Sequence, residues 1–188
     1  MGQVYGRTFG VVGMGDIGRA VARKARGLGF EVICWSHSLV PGRRTPEGCE
    51  VVSYDELLKR ADVVSFHTAL VPATHHLLNA TNIELLKPGC IVINTSRGAV
   101  VDTAAVAAAL EAGALWGAGI DVFEEEPLPA DDSLVKAPHA LLTPHAAYWS
   151  EESGRELRER AMQAAIDVVQ GRIPVDCLNP CVFDSSAR

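Results

Sequence analysis

The chain has 188 residues, 48% of them hydrophobic and 21% charged, with a formal net charge of −6. That size and composition fit a globular protein of one domain plus an appendage, and the acidic balance argues against a nucleic-acid binder. No apolar run approaches a membrane span, and the opening MGQVYGRTFG lacks the basic-then-apolar layout of a signal peptide, so no membrane partner and a cytoplasmic location are expected.

Short apolar runs then alternate with helical patterns. TFGVVG (8–13) reads as a strand, and the helix after it carries Ile17, Ala20, Val21, Ala25 and Leu28 on one face. EVICW (31–35) is the next strand, and Ser53 to Glu56 spells a capping box that opens a short helix. DVVSFH (62–67) is a third strand. Thr81 to Glu84 repeats the capping pattern, and Pro88-Gly89 stops that helix. CIVIN (90–94) is a fourth strand. Asp102 caps an alanine-rich helix ending near Gly113, and LWGAGID (115–121) and ALLTP (140–144) complete the set.

These strands are continuously apolar and rich in Val and Ile, as parallel strands buried on both faces are. Their alternation with helices predicts an α/β fold, a doubly wound parallel sheet of the Rossmann dinucleotide-binding type. Residues 1–149 are assigned to that domain, and 150–188 to a C-terminal helix and tail. Leu157, Ala161, Ala164 or Ala165, and Val168 form the apolar stripe of this last helix, and Gly171 stops it.

The five cysteines are odd in number and contain no C-x-x-C, so free thiols in a reducing compartment are expected. Cys177 and Cys181 have no histidine near them in sequence. His67 ends a strand, and the adjacent His75 and His76 are expected to diverge on a turn. No metal site is assigned to any of these residues.

Gly13, Gly15 and Gly18 fit G-x-G-x-x-G between a strand and a helix. Gly13 permits the tight turn, Gly15 lets a pyrophosphate approach the backbone, and Gly18 lets helix and strand pack closely. The helix start offers N–H groups and positive dipole to phosphate. Asp16 at that start is expected to point into solvent. Further along, NTSRG (94–98), GIDVFEEEP (119–127) and TPHAAYWS (143–150) place Arg97, Asp121, Glu126 and His145 at the carboxyl ends of strands, where α/β sheets carry their sites.

Singly, these residues have plainer readings: a surface ion pair, a solvated acidic loop, a helix start. Together they are the set for reducing a small 2-oxo acid to a 2-hydroxy acid. Arg97 would hold the substrate carboxylate by two bonds. Glu126 would bond His145 and favour its protonated form. His145 would give a proton to the ketone oxygen as hydride arrives from a nicotinamide. Asp121 would accept from the nicotinamide carboxamide.

GVVGMGDIGRAVA, INTSRGAVVD, GAGIDVFEEEPLP and LLTPHAAYWSEES, in this order, resemble the D-isomer-specific 2-hydroxyacid dehydrogenases. HTALVPATHHLLN (67–79) resembles the loop which that family lays beside its cofactor, and the match runs from about residue 6 to residue 180. HAAYWSEES and QGRIPVDCLNP are most similar to the C-terminal binding protein branch and its bacterial relatives. The resemblance implies catalytic roles for Arg97, Glu126 and His145. It implies cofactor contacts from Gly15, Asp16, Ile17 and Gly18, from Thr68, Ala69, Leu70 and Thr74, from Thr95 and Ser96, and from Asp121. Arg97 and His145 would border cofactor and substrate alike, and Tyr148 falls where that branch carries an aromatic facing the substrate, with packing as its plainer role.

Two departures from the family pattern stand out. Ser36 occupies the position where the family usually has an Asp for the ribose of NAD. Ser36, His37 and nearby Arg43 and Arg44 could instead receive a 2′-phosphate, so the expected cofactor is NAD(P), leaning to NADP. The second departure is that few residues precede the glycine turn. Most of the substrate domain is therefore expected to be absent, in a fragment or a truncated variant with weak turnover. The helix over 150–170 would lack its partner, and a homodimer through the cofactor domain is expected. A competing reading is a nucleotide-sensing interaction protein with little turnover. The set of Arg97, Glu126 and His145 favours the enzyme.

Overall fold

Adjacent residues of a strand face opposite sides of its sheet, and Val11 and Val12 enter two different apolar clusters. In the computed structural model, which describes residues 3–183, they lie on β1 (Thr8–Val12) of a seven-stranded parallel sheet. The other strands are β2 (Glu31–Trp35), β3 (Glu50–Val51), β4 (Val63–Phe66), β5 (Cys90–Asn94), β6 (Leu115–Ile120) and β7 (Ala140–Leu142). Their order is β3-β2-β1-β4-β5-β6-β7. The chain winds outward from β1 in one direction, then returns to β4 and winds in the other. The switch point between β1 and β4 is where sheets of this kind open a crevice for a ligand.

The helices are α1 (Asp16–Gly27), α2 (Tyr54–Arg60), α3 (Thr103–Glu111) and α4 (Ser133–Lys136), followed by α5 (Glu151–Val169). One apolar cluster joins Val12, Ile33 and Val64 to Leu57 and Leu58 of α2 and to Val106 and Leu110 of α3. The other joins Phe9, Val11 and Val32 to Ala22 and Ala25 of α1. Two compact units result, Met1–Ala147 and Tyr148–Arg188. Among the described residues, no helix is long and apolar enough to cross a membrane.

The expected strands are all present, and the caps at Ser53 and Asp102 form as read. Ser53 Oγ accepts from the Glu56 N–H at 3.3 Å, and Asp102 Oδ1 from the Ala105 N–H at 3.0 Å. Two expectations are corrected. First, α1 turns Gly18, Ala22 and Ala25 to the sheet, while Ile17 and Leu28 are 68% and 69% exposed. The helix lies so close to β1 that only small residues fit beneath it. Second, the helix expected after Thr81 is a single 3₁₀ turn, Ile83–Leu85. The side chains of Asn79 and Asn82 bond the backbone of 79–82 instead (Asn79 N–H to Asn82 Oδ1, 2.9 Å), which competes with helix formation.

The second unit holds the long helix read from the sequence. Ser150 caps α5, accepting from the Ser153 N–H at 3.0 Å. Leu157 and Val168 of its apolar stripe are 60% and 50% exposed. The helix residues that are buried are Gly154, against the Trp149 ring, and Asp167, bonded to Arg172 and Gln163. The sequence also gave no sign of β3 or α4, which are two and four residues long.

Candidate active site

The end of β1 is built for close approach. Gly13 turns at φ +96°, and its N–H donates to the Trp35 carbonyl at 2.8 Å, fixing the end of β2 beside it. A side chain on Gly18 would drive its Cβ into the Gly13 carbonyl oxygen. Gly15, by contrast, has open space where a Cβ would stand, and no side chain caps the start of α1. The first N–H groups of α1 therefore have no partner within the helix and face a space that an anion can occupy. Asp16 is exposed at that start, as expected.

An open cleft of about 580 Å³ is lined by Ile17, Thr68, Ala69, Leu70, Thr95, Ser96 and Arg97, all residues expected beside a cofactor. This cleft accounts for the outward position of Ile17. His67, assigned to structure by sequence, also lines it. Its Nε2 pairs with Ser65 Oγ at 2.8 Å, and burial pushes its imidazole down to about 4. Thr74 is buried, and its hydroxyl is spent within its own loop, donating to the Ala69 carbonyl at 2.7 Å. It shapes the loop that presents Thr68 to Leu70 rather than lining the cleft.

Ser36 and His37 follow directly on β2. The Ser36 carbonyl accepts from the Leu39 N–H at 3.0 Å, and His37 is exposed. Of the two nearby arginines, Arg44 donates to the Gly48 carbonyl at 3.0 Å, while Arg43 is exposed.

At the far side of the rim, two buried polar residues organise the loops. Asn94 is fully buried at the end of β5. Its Oδ1 accepts from the Ser96 N–H at 3.0 Å and its Nδ2 donates to the Arg97 carbonyl at 2.9 Å. That bracket sets the turn from which Arg97 projects, exposed. Gly98 then lies so close to the next loop that a Cβ there would clash with the Phe123 carbonyl. Asp121, 3% exposed, follows β6. Its Oδ1 accepts from the Thr143 hydroxyl at 2.5 Å and the Ala146 N–H at 2.8 Å, and its Oδ2 from the Ala147 N–H at 2.9 Å. Burial alone would raise its pKa, but these three donors outweigh it and hold the carboxyl below its usual range.

Asp121 thus anchors the loop that carries His145. The His145 N–H donates to the Asp121 carbonyl at 2.8 Å, and its φ is +51°, uncommon for a residue with a Cβ. Glu126 and His145 meet directly, with Nδ1 2.8 Å from Oε2. The other Glu126 oxygen accepts from the Phe123 N–H at 3.0 Å. The bond from His145 first, then that from Phe123, holds the Glu126 carboxyl below its usual range. An ionised carboxylate only accepts, so the pairing puts a proton on Nδ1. Tyr148 belongs to the second unit, where its ring stands edge-on to Trp149 with centroids 6.2 Å apart.

Sequence reasoning missed Asn94, Gly98 and Thr143. The polar residue closing an apolar strand was the available signal for Asn94. The other two act across the fold and leave no local pattern. His75 and His76 were expected to diverge. Their rings instead stack, with centroids 4.1 Å apart, because His76 turns at φ +46°.

Comparison with known proteins gives a consistent result. The family model "D-isomer specific 2-hydroxyacid dehydrogenase, NAD binding domain" matches residues 1–147. A glyoxylate reductase of Korarchaeum cryptofilum is 41% identical over 176 residues, which is 94% of this chain and 53% of that protein. A glyoxylate reductase of Thermococcus litoralis is 40% identical over 181 residues, covering 96% and 54%. Among solved structures, a D-lactate dehydrogenase of Lactobacillus jensenii with NAD⁺ superposes with a TM-score of 0.84 at 30% identity, covering 93% of this chain and 56% of that one. The chain spans about half the length of the curated relatives it matches.

Proposed function

Since this chain belongs to the D-isomer-specific 2-hydroxyacid dehydrogenases, we propose that it supplies the cofactor-binding half of an NAD(P)H-dependent reductase of small 2-oxo acids. The glyoxylate reductases named above favour glyoxylate or a close analogue as substrate. The observation that carries the reading is the 2.8 Å pairing of His145 Nδ1 with Glu126, on the same rim as the Arg97 turn and the cleft.

The residues present fit the cofactor: Gly15 leaves its approach open, Gly18 lets α1 start against β1, and Ile17 and Thr68 to Leu70 wall the cleft. When bound there, NAD(P)H supplies the hydride. Arg97 clamps the substrate carboxylate in two-pronged fashion, fixing the ketone carbon in the cleft. Glu126 holds the Nδ1 proton of His145, so that Nε2 is the nitrogen that gives its proton to the ketone oxygen. The negative charge of Glu126 steadies the protonated imidazole until that transfer. In the oxidative direction the same nitrogen takes the proton back. Asp121, already accepting three hydrogen bonds, positions the His145 loop and has one lone-pair direction left for a carboxamide.

The cofactor preference leans to NADP, because Ser36 puts no carboxylate where a 2′-phosphate would lie, and Arg43 is close by in sequence. Tyr148 faces the substrate in this reading, the protein acts as a homodimer in the cytoplasm, and residues 150–188 return to a substrate domain. The test is steady-state oxidation of NADPH and NADH with glyoxylate, hydroxypyruvate and pyruvate, in the full-length protein. His145→Gln is expected to lower kcat by at least about a hundredfold with cofactor binding retained. An unchanged rate would remove His145 from the chemistry, and a strong NADH preference would overturn the reading of Ser36.

A further inference from the structure

Three metal-ligating side chains, two on the loop of residues 67–79 and one on the loop after β6, meet apart from the groups assigned to proton transfer. His76 Nε2 lies 3.0 Å from Glu124 Oε1. The His75 ring stacks on that of His76, with planes 27° from parallel. The ligand atoms of His75, His76 and Glu124 all lie within 4.8 Å of one another. An ion pair would need only two of these groups. We propose that His75, His76 and Glu124 form a binding site for a divalent transition-metal ion of the zinc class, which ties the 67–79 loop to the loop after β6.

The chemistry of the donors selects the ion. Two imidazoles and one carboxylate suit Zn²⁺, Ni²⁺ or Cu²⁺, whereas Mg²⁺ and Ca²⁺ prefer oxygen-only shells. Three protein ligands leave a fourth tetrahedral position for water. Around a zinc ion with ligand distances of 2.0–2.1 Å, neighbouring ligand atoms stand about 3.3 Å apart. The His76–Glu124 separation of 3.0 Å is close to that edge. His75 is exposed, and its ligand nitrogen lies within 4.8 Å of the ligand atoms of both partners.

The backbone beneath the ligands is already fixed. The His75 N–H donates to the Val71 carbonyl at 3.1 Å, and the His76 N–H to the Ala99 carbonyl at 2.8 Å. The His76 carbonyl accepts from Asn79 Nδ2 at 3.0 Å. On the opposing side, the Phe123 carbonyl and the Glu124 N–H lie against Gly98. Metal binding therefore costs little ordering of the chain, as a preformed site requires. This inference uses none of the roles assigned to Arg97, Glu126 or His145, and stands or falls apart from them.

Calorimetric titration of the chain with Zn²⁺, and separately with Mg²⁺, in a non-chelating buffer tests it. One Zn²⁺ per chain is expected, with no Mg²⁺ bound and a rise in Tm that depends on Zn²⁺. His75→Ala is expected to weaken Zn²⁺ binding at least about tenfold, the smallest loss seen even for outer-shell changes at metal sites, while leaving the metal-free Tm unchanged. A Cys177→Ser, Cys181→Ser double variant is expected to keep the wild-type affinity. Absence of Zn²⁺ binding, equal affinity in His75→Ala, or loss of binding in the cysteine variant would each overturn the site.

Discussion

At the end of β1 the chain is shaped by missing side chains. Gly13 turns where other residues rarely go, and Gly18 brings α1 against the Gly13 carbonyl. At the ends of β5 and β6 it is shaped by buried polar side chains. Asn94 brackets the Arg97 turn, and Asp121 holds the loop of His145 through three donors. The first rim makes room. The second holds its side chains still. The difference teaches that open space at a turn can be written in spacing alone, whereas a fixed polar rim depends on partners brought together by the whole fold.

The steric half breaks first. Gly18→Val should destabilise the chain by more than about 3 kcal/mol, at the upper end of overpacking costs, because its Cβ meets backbone rather than a flexible side chain. Urea unfolding measures this, and a loss below about 1 kcal/mol would mean that α1 shifts without penalty. The polar half should yield somewhat less. Asp121→Ala leaves the Thr143 hydroxyl and the Ala146 and Ala147 N–H groups without their acceptor, at a cost of about 2–3 kcal/mol. It should also raise amide exchange across 143–147 while leaving that of α1 unchanged. Uniform exchange changes would erase the distinction between the two rims.

The remaining test lies at the seam, and its effect shows only in acid. His67 has its backbone against Gly13 and its ring bonded to Ser65. Its imidazole titrates at about 4 in the folded chain against about 6.5 in an unfolded one. Below 6.5 the unfolded chain binds the extra proton, so stability falls as pH drops from about 6.5 to about 4 and the loss levels off beneath that. His67→Gln should flatten the Tm profile across this window, by about 5–10 °C at its acid end. Parallel profiles for the two proteins would show that burial of this ring does not bear on stability.

The parallel sheet was legible because Val- and Ile-rich runs such as CIVIN have no other use. The glycine turn was legible because each glycine answers a separate steric demand. Glu126 and His145 could be paired from their positions at strand ends, and they lie in contact. The face of α1 was misread because periodicity counts large apolar residues, whereas here small ones make the contact. Asn94 and Thr143 escaped notice because the worth of a polar residue depends on what surrounds it after folding. His75 and His76 were misjudged because alternation along a chain presumes negative φ, and His76 adopts +46°.

The abutment of Gly98 on the Phe123 carbonyl has a mechanical consequence. It clasps the segment bearing the guanidinium to the segment bearing the carboxylate partner of the imidazole, with no side chain between them to act as a cushion. The offset between the two segments is then set by backbone resting on backbone, like the fixed gap of a gauge, and no change of rotamer can alter it.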